Sequence, residues 1–195
     1  MENSIIQING QSYVKRIVNE ADVRKFNNGQ FISHKNIMQF VRDTIVHKYR
    51  ITCYPKYEGT LYDFLRIFNL NDTCILNLYK DMYDGVKYLH GVLNCIHGNI
   101  QPTNIYVKLT SGSIPKRDMS NITFVLANYD LQCSKPIGYT LNNDEKRTMG
   151  VFRFRLPTLF SNSDVKVTGD IDLYSIVSII MLIMCNYTIV NHEYD

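Results

Sequence analysis

The spacing of apolar residues changes along the chain, and this change limits the fold more than any other feature. Near the N-terminus the spacing is that of strands: Ile6–Gln11 alternates up to a turn at Gly10, and Tyr13–Val18 is a β-rich run. Lys48–Tyr54 is predicted to be a further strand. From Thr60 onward the spacing is helical. Strands followed by helices predict an α+β fold.

Three helices are predicted between residues 19 and 91. Asn19 is expected to cap a short one that starts near Ala21 and stops at 27–29. Thr60 is a suitable N-cap for the next, whose apolar positions are Leu61, Phe64, Leu65 and Phe68. Asp72 or Thr73 is expected to cap the third, and Gly91 to end it. Its apolar stripe is Ile75, Tyr79, Met82, Tyr83, Val86 and Leu89.

The second half of the chain is predicted to hold a hairpin and a buried helix. Short apolar runs at 104–107 and 122–127 flank a polar loop at 110–120, as in a hairpin. Residues 171–185 are apolar on every side, which is typical of a buried helix. The run is shorter than the roughly 20 apolar residues that a membrane-spanning helix needs.

Composition favours a reduced intracellular protein. The net charge of +3 is too small to indicate a nucleic-acid or membrane surface. There is no charged-then-apolar leader. No C-x-x-C pair occurs, so the cysteines are predicted to be reduced and buried rather than paired or zinc-bound. They are Cys53, Cys74, Cys95, Cys133 and Cys185.

One motif points to a known class of enzyme. The stretch His97–Asn104 resembles the protein-kinase catalytic loop, H-R-D-L-x-x-x-N. In that loop an aspartate accepts the proton of the attacking hydroxyl, and the final asparagine holds a magnesium ion. Here the position of the base is Asn99, a neutral amide that cannot act as a carboxylate base.

Further short matches extend the resemblance over nearly the whole chain. Tyr13–Ile17 is similar to the A-V-K-R-I strand of the sensor kinase-endoribonucleases, which include inositol-requiring enzyme and ribonuclease L. His34–Ile37 resembles their H-P-N-V, Tyr57–Phe64 their hinge and following helix, and Gly85–His90 their G-L-x-H-L-H. The resemblance implies a truncated kinase-like fold with a partial small β lobe at 1–56 and a partial, mainly helical large lobe at 57–195.

The resemblance also implies a degenerate active site. Lys15 matches the strand lysine that binds the phosphates of ATP, but its glutamate partner falls at Arg24. Asn128 stands where the metal-binding aspartate is expected, so Asn104 would be a lone metal ligand. The glycine-rich loop is missing, and only Gly10 precedes Lys15. We therefore expect no catalysis, metal or cofactor, although weak nucleotide binding stays open and Lys15 is interpreted as a remnant.

Scaffold positions of the family match better. Gly150–Thr158 has the spacing of G-T-x-x-W-x-A-P-E, with Thr158 in place of the final glutamate. Asp172 matches the aspartate that accepts hydrogen bonds from the catalytic-loop backbone, and His97 is interpreted as a core histidine. The family's last large-lobe helices are absent, so the helix at 171–185 is expected to leave apolar surface uncovered. A basic cluster of Lys146, Arg147, Arg153 and Arg155 is interpreted as a solvated face, with an acidic partner surface as the alternative.

These expectations favour a binding protein over an enzyme. Members of the resembled family are activated when two kinase lobes meet back to back, and a partner without a nuclease would block that pairing. Asn, Ile and Tyr are frequent and Trp is absent, a bias that resembles AT-rich coding, as in some large DNA viruses. The chain is then expected to be a poxvirus-like mimic in the host-cell cytoplasm. The predicted partner-binding residues are Asp22, Lys25, Asn28, His34, Gln39, Lys48, Arg50, Lys56 and Glu58.

Two alternatives stay open at this point. The target is either a kinase-endoribonuclease or one of the initiation-factor-2-alpha kinases, which also dimerise back to back. A divergent active kinase is the remaining class, and Asn99 and Asn128 argue against it. Whether the chain is a monomer or a homodimer is not determined by its sequence.

Overall fold

Antiparallel sheets and helices make up the fold, which is α+β as the change of spacing predicted. The computed structural model describes residues 2–22, 33–109, 121–129 and 134–185. Predictions for Arg24, Lys25, Asn28, Cys133 and the loop at 110–120 therefore lie outside the described residues.

A four-stranded antiparallel sheet forms the N-terminal part, in the order β1-β2-β4-β3. Its strands are β1 Glu2–Ile8, β2 Gln11–Asn19, β3 Arg42–Val46 and β4 Tyr49–Pro55. Asn9 and Gly10 both have positive φ, 50° and 78°, and form the two-residue turn that joins β1 to β2. The three predicted strands are confirmed. Strand β3 was not predicted because two of its five residues are charged and it lies at the sheet edge.

Side-chain caps fix the starts of the predicted helices. Asn19 accepts a hydrogen bond from the Ala21 N–H at 3.1 Å, and a short 3₁₀ helix, Glu20–Asp22, follows. Thr60 caps α1, Leu61–Leu65, through a capping box with Asp63. These caps are confirmed; the predicted stop at 27–29 is outside the described residues.

Helix α2 spans Asp72–Gly91, and the prediction of its cap was wrong. Asn71, rather than Asp72 or Thr73, accepts the bond from the Cys74 N–H at 2.9 Å. Asn71 has the extended backbone that a capping residue needs, whereas Asp72 is already helical.

The buried face of α2 is rotated from the predicted stripe. The buried residues are Cys74, Leu78, Asp81, Met82, Gly85, Val86 and Leu89. Tyr79 and Tyr83 were wrongly placed in the core; they are 43% and 41% exposed and stack on each other. Gly85 explains the rotation: a Cβ there would lie 3.1 Å from Leu126 Cδ1, so the helix packs closely against β7 along this face.

A second sheet, in the order β5-β6-β7, lies against α2. Its strands are β5 Gly59–Thr60, β6 Ile105–Leu109 and β7 Ile122–Leu126. Strands β6 and β7 pair antiparallel, which confirms the predicted hairpin. The predicted boundary between 1–56 and 57–195 falls just after β4, and as a domain division it stays a prediction.

The described residues 134–185 contain two short strands and two α-helices. They are β8 Thr140–Leu141, α3 Asn143–Thr148, β9 Val165–Lys166 and α4 Asp170–Met184. The prediction that α4 is buried on every side was wrong. The helix leaves part of its apolar surface uncovered, as the missing cover predicted. Ile171, Ile176 and Ile179 are buried on one side. Another side of the helix carries four side chains that are 37–63% exposed: Tyr174, Val177, Met181 and Met184.

The cysteines follow the prediction in part. Cys53, Cys74 and Cys95 are buried thiols in no disulfide, whereas Cys185 at the end of α4 is an exposed thiol. Burial raises the pKa of the Cys74 thiol to about 11, so this thiol stays protonated. Within the described ranges, no helix has the length and apolar character required to cross a membrane.

Candidate functional site

Asp172, in the first turn of α4, anchors the segment that carries the motif residues. Its side chain is fully buried. One carboxylate oxygen accepts the His97 N–H at 2.8 Å, and the other accepts the Gly98 N–H at 2.9 Å. His90 of α2 donates from Nε2 to the same carboxylate at 2.8 Å. The predicted bond from the motif backbone to Asp172 is therefore confirmed.

His97 is a structural residue, as predicted. It is fully buried, and its Nε2 lies 2.7 Å from the Ala127 carbonyl oxygen. A carbonyl only accepts, so Nε2 carries the proton. Nδ1 then accepts the Asn99 N–H at 3.2 Å, which requires the neutral ring. Both ring nitrogens hold backbone in place, joining the motif to the end of β7.

Four residues form a hydrogen-bonded chain that we call the amide relay: the side chains of Arg16, Asn128 and Asn104, and the backbone carbonyl of Asn99. Asn104 is buried and donates from Nδ2 to the Asn99 carbonyl at 2.8 Å. Asn128 donates from Nδ2 to Asn104 Oδ1 at 2.9 Å. Arg16 donates from Nη1 to Asn128 Oδ1 at 2.8 Å. The relay thus joins the N-terminal sheet to the motif loop.

Backbone geometry places Asn128 in the relay. Its φ of 62° is in the left-handed region, which asparagine tolerates better than most residues. The preceding Ala127 donates its N–H to the Asn104 carbonyl at 2.9 Å. Asn99 turns its side-chain oxygen to the Gln101 amide at 3.2 Å. The uncharged motif positions His97, Asn99, Asn104 and Asn128 are therefore brought together, with the Arg16 guanidinium at one end of the relay.

Arg16, rather than Lys15, enters this site. Arg16 is 1% exposed, and its Nε donates to Thr52 Oγ1 at 3.1 Å. Its guanidinium lies 5.1 Å from the centre of the Phe40 ring, a cation–π contact. Because side chains alternate along β2, Lys15 lies on the opposite face of the sheet. The assignment of Lys15 as a site residue does not fit this register.

The relay is poorly suited to a divalent cation. Asn128 Oδ1 and Asn104 Oδ1 each accept a relay bond, and the Arg16 guanidinium lies next to the first. A positive charge at that distance repels a metal ion, and neutral amides offer magnesium no carboxylate. Among the described residues there is no group of three or more metal-binding side chains. Asp130 lies outside them.

Three tyrosines fill the region between β4 and β6. Tyr57 and Tyr106 have ring centroids 5.5 Å apart, and Tyr54 lies 6.4 Å from both. Burial, with the neighbouring Tyr106, raises the pKa of Tyr57 to about 12, and burial raises the pKa of Tyr54 further. The Tyr54 and Tyr57 hydroxyls therefore stay protonated at neutral pH, and three phenol side chains supply no positive charge for phosphate.

Sequence reasoning missed a buried polar pair between α2 and β7. Asp81 is 8% exposed and accepts the Phe124 N–H at 2.8 Å. Asn36 is fully buried, donates to the Phe124 carbonyl at 3.0 Å, and has no partner for its Oδ1 among the described residues. The sequence held one signal for the burial of Asp81, which is that it directly precedes Met82 of the predicted apolar stripe.

The stability of the fold is expected to depend on the ionisation of Asp81. Burial raises the pKa of its carboxyl above the ordinary value, although the Phe124 N–H opposes this. The folded state therefore keeps this proton to higher pH than the unfolded state does. The stabilisation is present below the unfolded pKa and is lost as pH rises through the folded one.

An Asp81→Asn variant cannot ionise, so its free energy of unfolding should rise relative to wild type between about pH 4 and pH 7. Urea denaturation of both proteins across that range measures the difference. A pH-independent difference between the two proteins would contradict this assignment.

The basic cluster is only partly a solvated face. Lys146 is buried and donates from Nζ to the Ser161 and Ser163 carbonyls at 3.0 and 2.9 Å. Arg155 donates to the Met149 and Gly150 carbonyls, both at 2.8 Å. The interpretation as a solvated face was therefore wrong for Lys146 and Arg155, whose bonds hold the loop that follows α3. Arg147 and Arg153 are exposed, as expected.

The predicted partner-binding residues do not all face solvent. Gln39, Lys48, Lys56 and Glu58 are exposed. His34 is half-buried and stacks on Tyr88 at 5.0 Å, and burial lowers its pKa. Arg50 is half-buried, 5.8 Å from the centre of the Phe40 ring. Lys25, Asn28 and the side chain of Asp22 are not among the described groups.

No protein-family model matches the chain. No curated protein is significantly similar to it in sequence.

Proposed function

We propose that this chain is a catalytically inactive pseudokinase that acts by binding. Its target in this proposal is a host stress or antiviral sensor of the kinase-endoribonuclease type, whose back-to-back pairing it prevents. The observation that carries the proposal is the amide relay. Asparagines occupy the positions that the resemblance assigns to the base and the metal ligand, and they bond to each other and to Arg16.

The relay supports inactivity on chemical grounds. A phosphoryl transfer needs a carboxylate base near the acceptor and metal ions on the phosphates. Neither Asn99 nor Asn128 supplies such a charge, and Arg16 repels a cation at Asn128. What the site does instead is structural, because it joins the N-terminal sheet to the loop that Asp172 anchors.

The decoy mechanism follows from mass action. A chain that occupies the pairing face of a sensor without contributing a nuclease reduces the fraction of active pairs as its concentration rises. Of the described residues predicted to bind the partner, four are exposed and available for the proposed contact: Gln39, Lys48, Lys56 and Glu58. No phosphorylation of the sensor is needed.

A reconstituted assay tests this function. Increasing amounts of the chain are added to a purified kinase-endoribonuclease, and cleavage of a labelled RNA is followed. Cleavage should fall with dose and recover when more sensor is added, as expected for competition. A Lys48→Glu, Lys56→Glu variant should inhibit less, whereas Lys80→Glu and Lys108→Glu, exposed cations elsewhere, should inhibit like wild type.

Unchanged cleavage at saturating chain concentration would refute the kinase-endoribonuclease target. The same assay with an initiation-factor-2-alpha kinase, read out by phosphorylation of its substrate, tests the alternative. Phosphate transfer by the chain itself, abolished by Asn128→Ala, would refute inactivity.

A further inference from the structure

Strand β1 leaves one side of the four-stranded sheet open. In the described part of the chain it pairs with β2 on one side, and no strand pairs with it on the other. Ile5, in the middle of the strand, is 61% exposed. Open edges are usually protected by lysine, proline or a bulge. Residues 3–8, N-S-I-I-Q-I, contain no charge and no proline, whereas the opposite edge strand β3 carries Arg42 and Asp43.

The turn determines which backbone groups of β1 point outward. Ile8 and Gln11 flank the two-residue turn, and such a closing pair exchanges its backbone hydrogen bonds. Bonding alternates along an antiparallel pair, so residues 4, 6 and 8 bond to β2. The N–H and C=O groups of Asn3, Ile5 and Gln7 therefore point away from the sheet.

From this pattern we infer that β1 pairs with β1 of a second copy of the chain, antiparallel, with Ile5 opposite Ile5. Only this register sets all three outward residues against outward residues, because Asn3 then faces Gln7 of the other copy. About six backbone hydrogen bonds result. The two sheets become one eight-stranded sheet across a twofold axis.

The side chains of β1 are self-complementary in this register. Asn3, Ile5 and Gln7 share one face of the strand, so an amide faces an amide on each side of the central isoleucine pair. The two Ile5 side chains, exposed in the single chain, cover each other. No charge in residues 3–8 opposes a like charge, which is why a second copy fits better than a charged extended segment.

The pair should be weak and concentration-dependent. A single strand pair buries less than the roughly 1,200 Å² of a stable interface. Its affinity comes from main-chain hydrogen bonds, as when a peptide adds a strand to a sheet edge. The inference does not depend on the proposed function, which concerns a different surface and a different partner.

Sedimentation velocity over a concentration series tests the inference. The wild-type chain should shift from monomer to dimer. Ile5→Lys should raise the dimer dissociation constant at least about tenfold, because two like charges then meet at the axis. Ile45→Lys, at a 57% exposed position on the opposite edge strand, should leave the constant unchanged. Ile5→Glu should behave like Ile5→Lys, and an equimolar mixture of the two variants should form heterodimers.

A covalent trap covers the case in which charged variants fail to fold. In a Cys133→Ser, Cys185→Ser background, Ile5→Cys should form a disulfide-linked dimer on mild oxidation. Facing Cα atoms about 5.5 Å apart are within disulfide range. Ile45→Cys should stay monomeric.

Three results would each overturn the inference. They are a wild-type chain that stays monomeric throughout, a dimer indifferent to Ile5→Lys and Ile5→Glu, and equal crosslinking through position 45. Loss of dimerisation with sensor inhibition retained leaves the proposed function intact. Loss of inhibition with the Ile5-dependent dimer retained refutes only the function.

Discussion

Replacing Asp172 with alanine is expected to lower the free energy of unfolding by about 3–5 kcal/mol. The reason is the number of donors that lose their acceptor at once. The His97 and Gly98 N–H groups are buried and both bond to this carboxylate, and His90 bonds to it from α2. Each orphaned buried donor costs about 1–3 kcal/mol. Urea denaturation followed by circular dichroism measures the change.

The first turn of α4 provides a matched control. Asp170 lies two residues away, is exposed, and accepts a 3.2 Å bond from the Thr168 hydroxyl. Asp170→Ala should change the free energy of unfolding by less than about 0.5 kcal/mol. Asp172→Asn keeps one acceptor oxygen and should fall between the two. Equal effects of Asp170→Ala and Asp172→Ala would show that Asp172 does not anchor the motif segment.

Predictions from local pattern were confirmed where neighbouring residues decide the structure. The strands around the Asn9–Gly10 turn, the Thr60 cap and the β6–β7 hairpin all follow from residues close in sequence. The Asp172 bond spans 75 residues, and it was predicted only through resemblance to a family. Local physical chemistry and family resemblance therefore supplied different parts of the prediction.

The errors concern choices that depend on tertiary contacts. The spacing of apolar residues alone could not predict which face of α2 is buried, because the close approach of Gly85 to Leu126 selects that face. The contact of buried Asp81 with Asn36 could not be predicted from spacing either, since Asn36 lies 45 residues earlier in the chain. Nor could residue type decide which of two adjacent cations faces inward, because Lys15 and Arg16 fit the same strand pattern.

The register of β2 places the Arg16 side chain inward. Removing this side chain should have the second-largest effect on the free energy of unfolding among the changes considered. Arg16→Ala is expected to lower the free energy of unfolding by about 2–4 kcal/mol. The variant loses the bonds to Asn128 and Thr52 and the contact with Phe40. It leaves Asn128 Oδ1 without its Arg16 donor and opens space beneath the sheet, so packing and hydrogen bonding are lost together.

Lys15→Ala is the adjacent control, on the opposite face of β2, and should cost less than about 0.5 kcal/mol. Arg16→Lys separates charge from geometry: a lysine keeps the positive charge but cannot bond Asn128 and Thr52 with a planar fork, so it should recover only part of the loss. If Lys15→Ala proved the more damaging change, β2 would have the opposite register, and the lysine would occupy the site that the structure gives to Arg16. The relay would then lack its link to the sheet, and Asn128 would be open to a metal ion.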